Sequence, residues 1–443
     1  MSDITFSIDW LSSDGDSPAF RDTSGHLAIH LDAFCLTRNE DVWSRTVRDK
    51  VLVSAYPLAL WLASSWWRLN FEPLPRMGTK PPLDWRMAHE LGAANHGYVW
   101  PRVIFAPDGE IVNVWAEPIR LDGQSIQYLY GLETPSAVKL DNFQRKIAGF
   151  VESVLSRLDA LGHGRTDLAE LWSFIREDSE NPEVMRLRIL EAQMGYDPEE
   201  CPQDIIAKAL SLQRETGLSA MSELAPVFGR RDRDDTGLEG IISLASQNGI
   251  LGRPQVSAED IQLASFSGAP WQRGVDAARK LRAKLGNTDE PIKNAVLFDL
   301  LGITEGQVSS WESPDRNIVA VAKPVKTGEL NYLPRKKHPL SRRFEFARMI
   351  GEVLDQPRGN DNWLVSTDIA TAKQKRQRAF AAELLCPIHS LTDYLNGDYS
   401  ESSLEDAAEY FNVSDKIVES SLANYGYLDI SSAEPKVPYR SVA

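Results

Sequence analysis

Cysteine is scarce in this chain. The 443 residues hold three, Cys35, Cys201 and Cys386, far apart and with no CxxC pair. That spacing excludes a disulfide framework and a thiolate zinc knuckle, and it suits a reducing compartment. Long apolar runs are missing too. Residues 51–67 (VLVSAYPLALWLASSWW) carry no charge, but they include Pro57 and three serines and fall short of the ~20 residues a bilayer span needs. Leu58, Trp61, Leu62 and Trp66 recur there at helical spacing, so the stretch reads as a buried helix with Pro57 in its first turn. The opening residues lack a basic start and an apolar signal core, and a cytoplasmic protein is expected. There is no P-loop, no GxGxxG, no GxSxG, no internal repeat and no low-complexity tract, which leaves nucleotide-binding and serine-hydrolase signatures unrepresented.

What is present is an ordinary globular balance: 42% hydrophobic, 25% charged, and a net charge of −15. At ~100–200 residues per domain, two to four domains are expected. Residues 4–10 and 26–31 alternate apolar and polar as half-buried strands do. Two strand-like runs flank the turn Pro107-Asp108-Gly109 and predict a hairpin. Residues 1–145 therefore read as an α+β domain. It is rich in tryptophan (Trp10, Trp43, Trp61, Trp66, Trp67, Trp85, Trp100, Trp115), a residue that suits cores and interface hot spots alike. Residues 146–267 read as helical, with Phe150, Val151, Val154, Leu155 and Leu158 on one helix face. The charge run at 229–235 reads as a solvated loop. Residues 268–443 form a last, mainly helical unit.

That last unit contains the most informative pattern. From residue 342 the chain reads RRFEFARMIGEVL, with Phe346, Met349, Ile350 and Val353 at the spacing of a packed helix. Residues 378–388 read RAFAAELLCPI, helical until Pro387 stops it. These two segments resemble the ImmA/IrrE family of bacterial regulatory zinc peptidases. In that family one helix reads roughly RRFTLAHELGHLLLH and a later one roughly ExxANxFAAELLMP. Residues 270–286 and 291–303 resemble the family's first two helices, and 403–418 its terminal helix-turn-helix-like pair. The resemblance spans about residues 268–430 and leaves the first 265 outside it. It implies a zincin-type fold. It also implies a regulatory role in stress response, phage defence or mobile-element control, exerted through a protein partner.

The departure from the family pattern matters as much as the match. A peptidase of this type needs two His at i, i+4 as zinc ligands, and a Glu after the first as general base. Here the HELGH pentad is replaced by Arg348-Met349-Ile350-Gly351-Glu352. Arg348 cannot ligate, Met349 cannot move a proton, and Glu352 stands at the second ligand position. The third ligand is a Glu shortly before the FAAELL run, where this chain has Gln374 and Arg376. No catalytic residue, no metal ligand and no cofactor is expected. Arg348 and Glu352 share a helix face, and an ion pair between them is the expected replacement for the metal.

Between Arg316 and Phe380 there are 14 Lys+Arg and 6 Asp+Glu, a local +8. Arg335, Lys336, Lys337, Arg342, Arg343, Lys373, Lys375, Arg376 and Arg378 are the candidate surface for nucleic acid or an acidic partner. Net acidity opposes the nucleic-acid reading. The segment 415–424 also carries a net −1, which does not suit a DNA-reading helix. Ser402 with Glu405 fits a capping box, Asn412-Val413 a turn, and Ser414 a second cap.

A second set of letters competes for attention. His89-Glu90-Leu91-Gly92 spells HELG, but the fifth position is Ala93 and His96 is seven residues on. The pair reads as ordinary polar histidines near a helix end. The reading reached is a non-catalytic interaction or sensor subunit with a protein partner and no membrane segment, its oligomeric state open. The alternatives are a nucleic-acid-binding regulator using 335–378 and a metal-dependent peptidase with a non-standard site.

Overall fold

The computed structural model describes residues 1–12, 17–75, 80–120, 123–230, 237–261, 268–312, 317–326, 328–356 and 362–428. The fold is α+β. It comprises two compact units: Met1–Ile206 together with Arg230, and Ala207–Gly229 together with residues 237–428. Among the described residues, no helix is long and apolar enough to cross a membrane. The charge run at 229–235 lies, from residue 231 on, outside the described residues.

In the first unit the alternating segments form the expected strands. Ile4–Trp10 pairs antiparallel with Ser24–Leu31, from Ile4↔Leu31 to Trp10↔Gly25, and Val51–Ser54 pairs with the same central strand. Alternation sends Leu27, Ile29 and Leu31 into the core. Arg102–Pro107 and Ile111–Glu117 make the predicted hairpin, with Gly109 taking a φ of +99° at the turn.

The helical stretch after residue 140 is not a separate body. Helix Leu140–Ala160 buries Phe143, Ile147, Phe150, Val151, Val154 and Leu158 in the same cluster as Leu27, Phe105 and Val112. The expected boundaries at 145 and 267 therefore differ from the compact division near 206. The Trp-rich run forms two helices rather than one, Tyr56–Ser64 and Trp66–Phe71. Trp61, Trp67, Trp85, Trp100 and Trp115 are buried, whereas Trp43 is 87% exposed on a hairpin tip.

The second unit has a four-stranded antiparallel sheet in the order Ile250–Gly252, Glu329–Leu333, Ala320–Lys326, Leu364–Ser366. Helices Pro270–Lys284, Pro339–Asp355 and Ala372–Leu385 pack with it around one core. Two glycines permit their close approach. A Cβ on Gly274 would lie 2.3 Å from the Arg376 carbonyl oxygen, and one on Gly351 would lie 2.7 Å from the Phe380 ring. On the middle strand, Lys323 is buried and its ammonium donates to the carbonyls of Leu244, Ala245 and Gln247 at 2.7–2.8 Å. It thereby satisfies the exposed end of helix Glu239–Ser246.

The C-terminal helices are Ile388–Leu395, Glu401–Phe411 and Asp415–Asn424, the last two joined through Asn412 at φ 54°. Ser400, not Ser402, is the N-cap of the middle helix. Neither it nor Ser414 makes a side-chain cap bond, because Ser400 is engaged with Ser402 and Ser403 instead.

Candidate functional site

Helix Pro339–Asp355 is buried on almost every side. Its apolar positions Phe346, Met349, Ile350 and Val353 enter the core, but Arg343, Glu345, Arg348 and Glu352 are buried as well. Buried charge is costly unless it is hydrogen-bonded, so the partners of these four define the site.

Arg348 and Glu352 do not pair with each other, contrary to the expectation from their spacing. The helix Ala372–Leu385 comes between them. Its N-cap Thr371 accepts from the Gln374 backbone N–H at 3.2 Å, which fixes the first turn. Gln374 and Gln377, one turn apart, face the Arg348 helix. Arg348 Nη2 donates to the Thr367 carbonyl at 2.7 Å and also to Gln374 Oε1. Gln374 Oε1 further accepts the Thr367 N–H at 2.8 Å. Gln377 links the two expected partners. Its Oε1 lies 3.4 Å from Arg348 Nη2, and its Nε2 donates to Glu352 Oε2 at 2.7 Å. Both amides also donate to the Val365 carbonyl, so the strand Leu364–Ser366 is part of the network.

The cation that Glu352 receives is Lys373, ion-paired to its Oε1, with Gln356 Nε2 donating at 3.2 Å. Lys373 also reaches the Ser219 hydroxyl at 3.0 Å. A neighbouring carboxylate, Glu223, accepts from the Thr371 hydroxyl at 2.9 Å. Burial raises the Glu223 pKa against the pull of Lys373. Burial likewise lowers Arg348 to about 9. Arg348 therefore stays charged at neutral pH, held by neutral carbonyl oxygens with no carboxylate bonded to it. Met349 is 3% exposed and sits among apolar side chains.

The candidate basic surface is largely turned inward. Arg335 pairs with Glu345 at 2.9 Å and with Asp368 at 2.6 Å. Arg342 donates to the carbonyls of Lys336, Val308 and Lys337. Arg343 bonds Asn294 and the Ile292 carbonyl, Arg376 pairs with Asp355, and Arg378 reaches the Ile369 carbonyl. Lys336 and Lys337 are exposed, and Lys375 is half-buried.

The other HELG lies in the first unit. Helix Leu83–His89 ends at the histidine, and a 3-10 turn, Leu91–Ala94, follows. His89 is fully buried and stacks on Trp85 at 4.0 Å. Both of its ring nitrogens are occupied, by the Phe105 carbonyl at 2.9 Å and Glu72 at 3.1 Å. His96 is exposed beyond the turn.

Spacing on the Arg348 helix could not reveal Gln377, Thr367, Lys373 as the partner of Glu352, or Glu223, which come from other elements. The one available signal was that Gln374 and Gln377 share a face of the FAAELL helix. Among the described residues, no group of three His, Cys, Asp or Glu side chains is placed to hold a metal ion. No family model, no curated protein and no solved structure matches this chain.

Proposed function

We propose that the chain is a non-catalytic, ImmA/IrrE-like protein that acts as an interaction or sensor subunit, regulating through a protein partner in stress response, phage defence or mobile-element control. One observation carries the first half of this reading. The positions resembling the family's first two zinc ligands, Arg348 and Glu352, belong to a network whose cations are the protein's own, Arg348 and Lys373, while Met349 at the base position lies in the apolar core. Of the two residues at the place of the family's third ligand, Gln374 spends its amide on Arg348, Thr367 and Val365, and Arg376 pairs with Asp355.

Water activation needs a Lewis acid or a free base, whereas the side chains of Arg348, Gln374, Gln377 and Glu352 are spent on one another and on backbone carbonyls. The Lys373 amine beside the Ser219 hydroxyl is engaged by Glu352 Oε1. A scaffold kept without that chemistry is suited to binding.

The test is the metal content of purified, untagged protein together with its Glu352→Gln variant. The reading expects well under one equivalent of zinc in both. A full equivalent in the parent that is lost in the variant would overturn it.

A further inference from the structure

His89 presents a proton-counting problem that its geometry solves. Nδ1 faces the Phe105 carbonyl oxygen at 2.9 Å, and a carbonyl can only accept, so Nδ1 carries a hydrogen. Nε2 faces Glu72 Oε2 at 3.1 Å. Without a hydrogen between them, two lone pairs would meet in a fully buried place. The same Oε2 accepts from Arg68 Nε at 2.8 Å, which favours the ionised carboxylate. The second hydrogen therefore belongs on Nε2.

The charged groups around this pair come from every element packed against it. Arg68, on helix Trp66–Phe71, binds Glu72 and also Asp84 of the His89 helix, at 2.7 Å. Asp197 lies 3.7 Å from Arg68 Nη1, and Arg230 lies 3.9 Å from Glu72 Oε1. Burial lowers the His89 pKa, with the Glu72 contact opposing it; against that lowering stand the two acceptors, of which the neutral ring can satisfy only one.

We propose that His89 is an imidazolium at neutral pH and that its second proton locks a clamp between three elements: the ends of helices Leu83–His89 and Trp66–Phe71, and the strand Arg102–Pro107. Losing that proton leaves Nε2 and Oε2 facing each other as acceptors, so the contact opens. The clamp's contribution is complete below the pKa of a free imidazole, ~6.5, and disappears as pH rises through the higher value in the folded chain. The device is thus an alkaline release, the opposite sense to the usual acid-triggered histidine switch.

The full chain labelled with ¹⁵N-histidine tests this by NMR titration, with the signal of His89 assigned by replacing the other six histidines one at a time. Both ring nitrogens of His89 should be protonated at about pH 8, where an unperturbed imidazole is neutral. A single-proton tautomer at pH 7 would overturn the proposal. In Glu72→Gln the side-chain amide can donate to Nε2, and the ring should then be neutral at pH 7. A ring that stays doubly protonated in that variant also overturns the role assigned to Glu72. If the variant does not fold, the parent titration decides alone.

Discussion

Two stretches of this chain invite the same reading, and the fold treats them in opposite ways. Residues 89–92 spell HELG, yet the helix stops at His89 and its ring is closed off by Phe105 and Glu72. Residues 348–352 have lost every letter of the HELGH pentad except the glycine. They nevertheless lie in an unbroken helix, one turn of which faces a second helix and a strand. A metal site depends on which side chains converge, so position in the fold outweighs spelling. The two regions also neutralise buried charge differently. Around His89 the charges meet directly, as Arg68 with Glu72 and Glu72 with His89. Around Arg348, the Gln377 amide stands between the guanidinium and the carboxylate of Glu352, whose own cation is Lys373.

That contrast can be broken by mutation. The largest effect should follow removal of the anion in each network. Glu72→Ala strands His89, which is 0% exposed, and takes from the 2% exposed Arg68 its buried partner, leaving it Asp84 and Asp197; it should cost about 4 kcal/mol in denaturant unfolding. Glu352→Ala should cost less, about 2–3 kcal/mol, because the Lys373 side chain is 12% exposed and can turn to water. Equal losses would erase the distinction between a carboxylate whose cations are wholly buried and one whose cation lies near the surface. Removing the cation should have the opposite sign. With its pKa held at about 9 by burial, Arg348 costs stability at neutral pH, because the folded state holds its charge less readily than the unfolded one does. Arg348→Met should stabilise the chain by about 1–2 kcal/mol, and a loss of stability would show that its hydrogen bonds outweigh its desolvation.

The smallest effect separates the units by pH. Burial pushes Asp197 up to about 6 against the pull of Arg68. The folded state therefore binds a proton that the unfolded state has already lost. The contribution of Asp197 to stability falls as pH rises from ~4 to ~6 and is level above that. Relative to Asp197→Asn, the parent should gain stability on going from pH 7 to pH 5. The gain should stay under about 1 kcal/mol because the side chain is partly exposed, and no such difference should appear with Arg348→Met in the second unit, since Arg348 is charged at both pH values.

Local pattern was enough to find the strands Ile4–Trp10 and Ser24–Leu31, the hairpin at Gly109, the apolar face of Leu140–Ala160 and the two helices that build the site. Each is dictated by neighbours within a few residues. What escaped depends on distant ones. That Leu140–Ala160 completes the N-terminal core is settled by contacts with Leu27 and Phe105, which periodicity does not encode. The Arg348–Glu352 pair was inferred from spacing alone, and it failed because Gln377, 29 positions from Arg348, reaches between them. The inward use of Arg335, Arg343 and Arg376 escaped for the same reason: a cluster of basic letters does not show which carboxylates and carbonyls the fold will bring to them.

Lys323 has a practical corollary. Its three N–H bonds end on the Leu244, Ala245 and Gln247 carbonyls at the C-terminal end of helix Glu239–Ser246, so an acylating reagent meets an occupied amine while that helix end is intact. Among the lysines it is a built-in reporter. Labelling at this one amine, read by peptide mass, would register the parting of that helix end from the inner strand Ala320–Lys326.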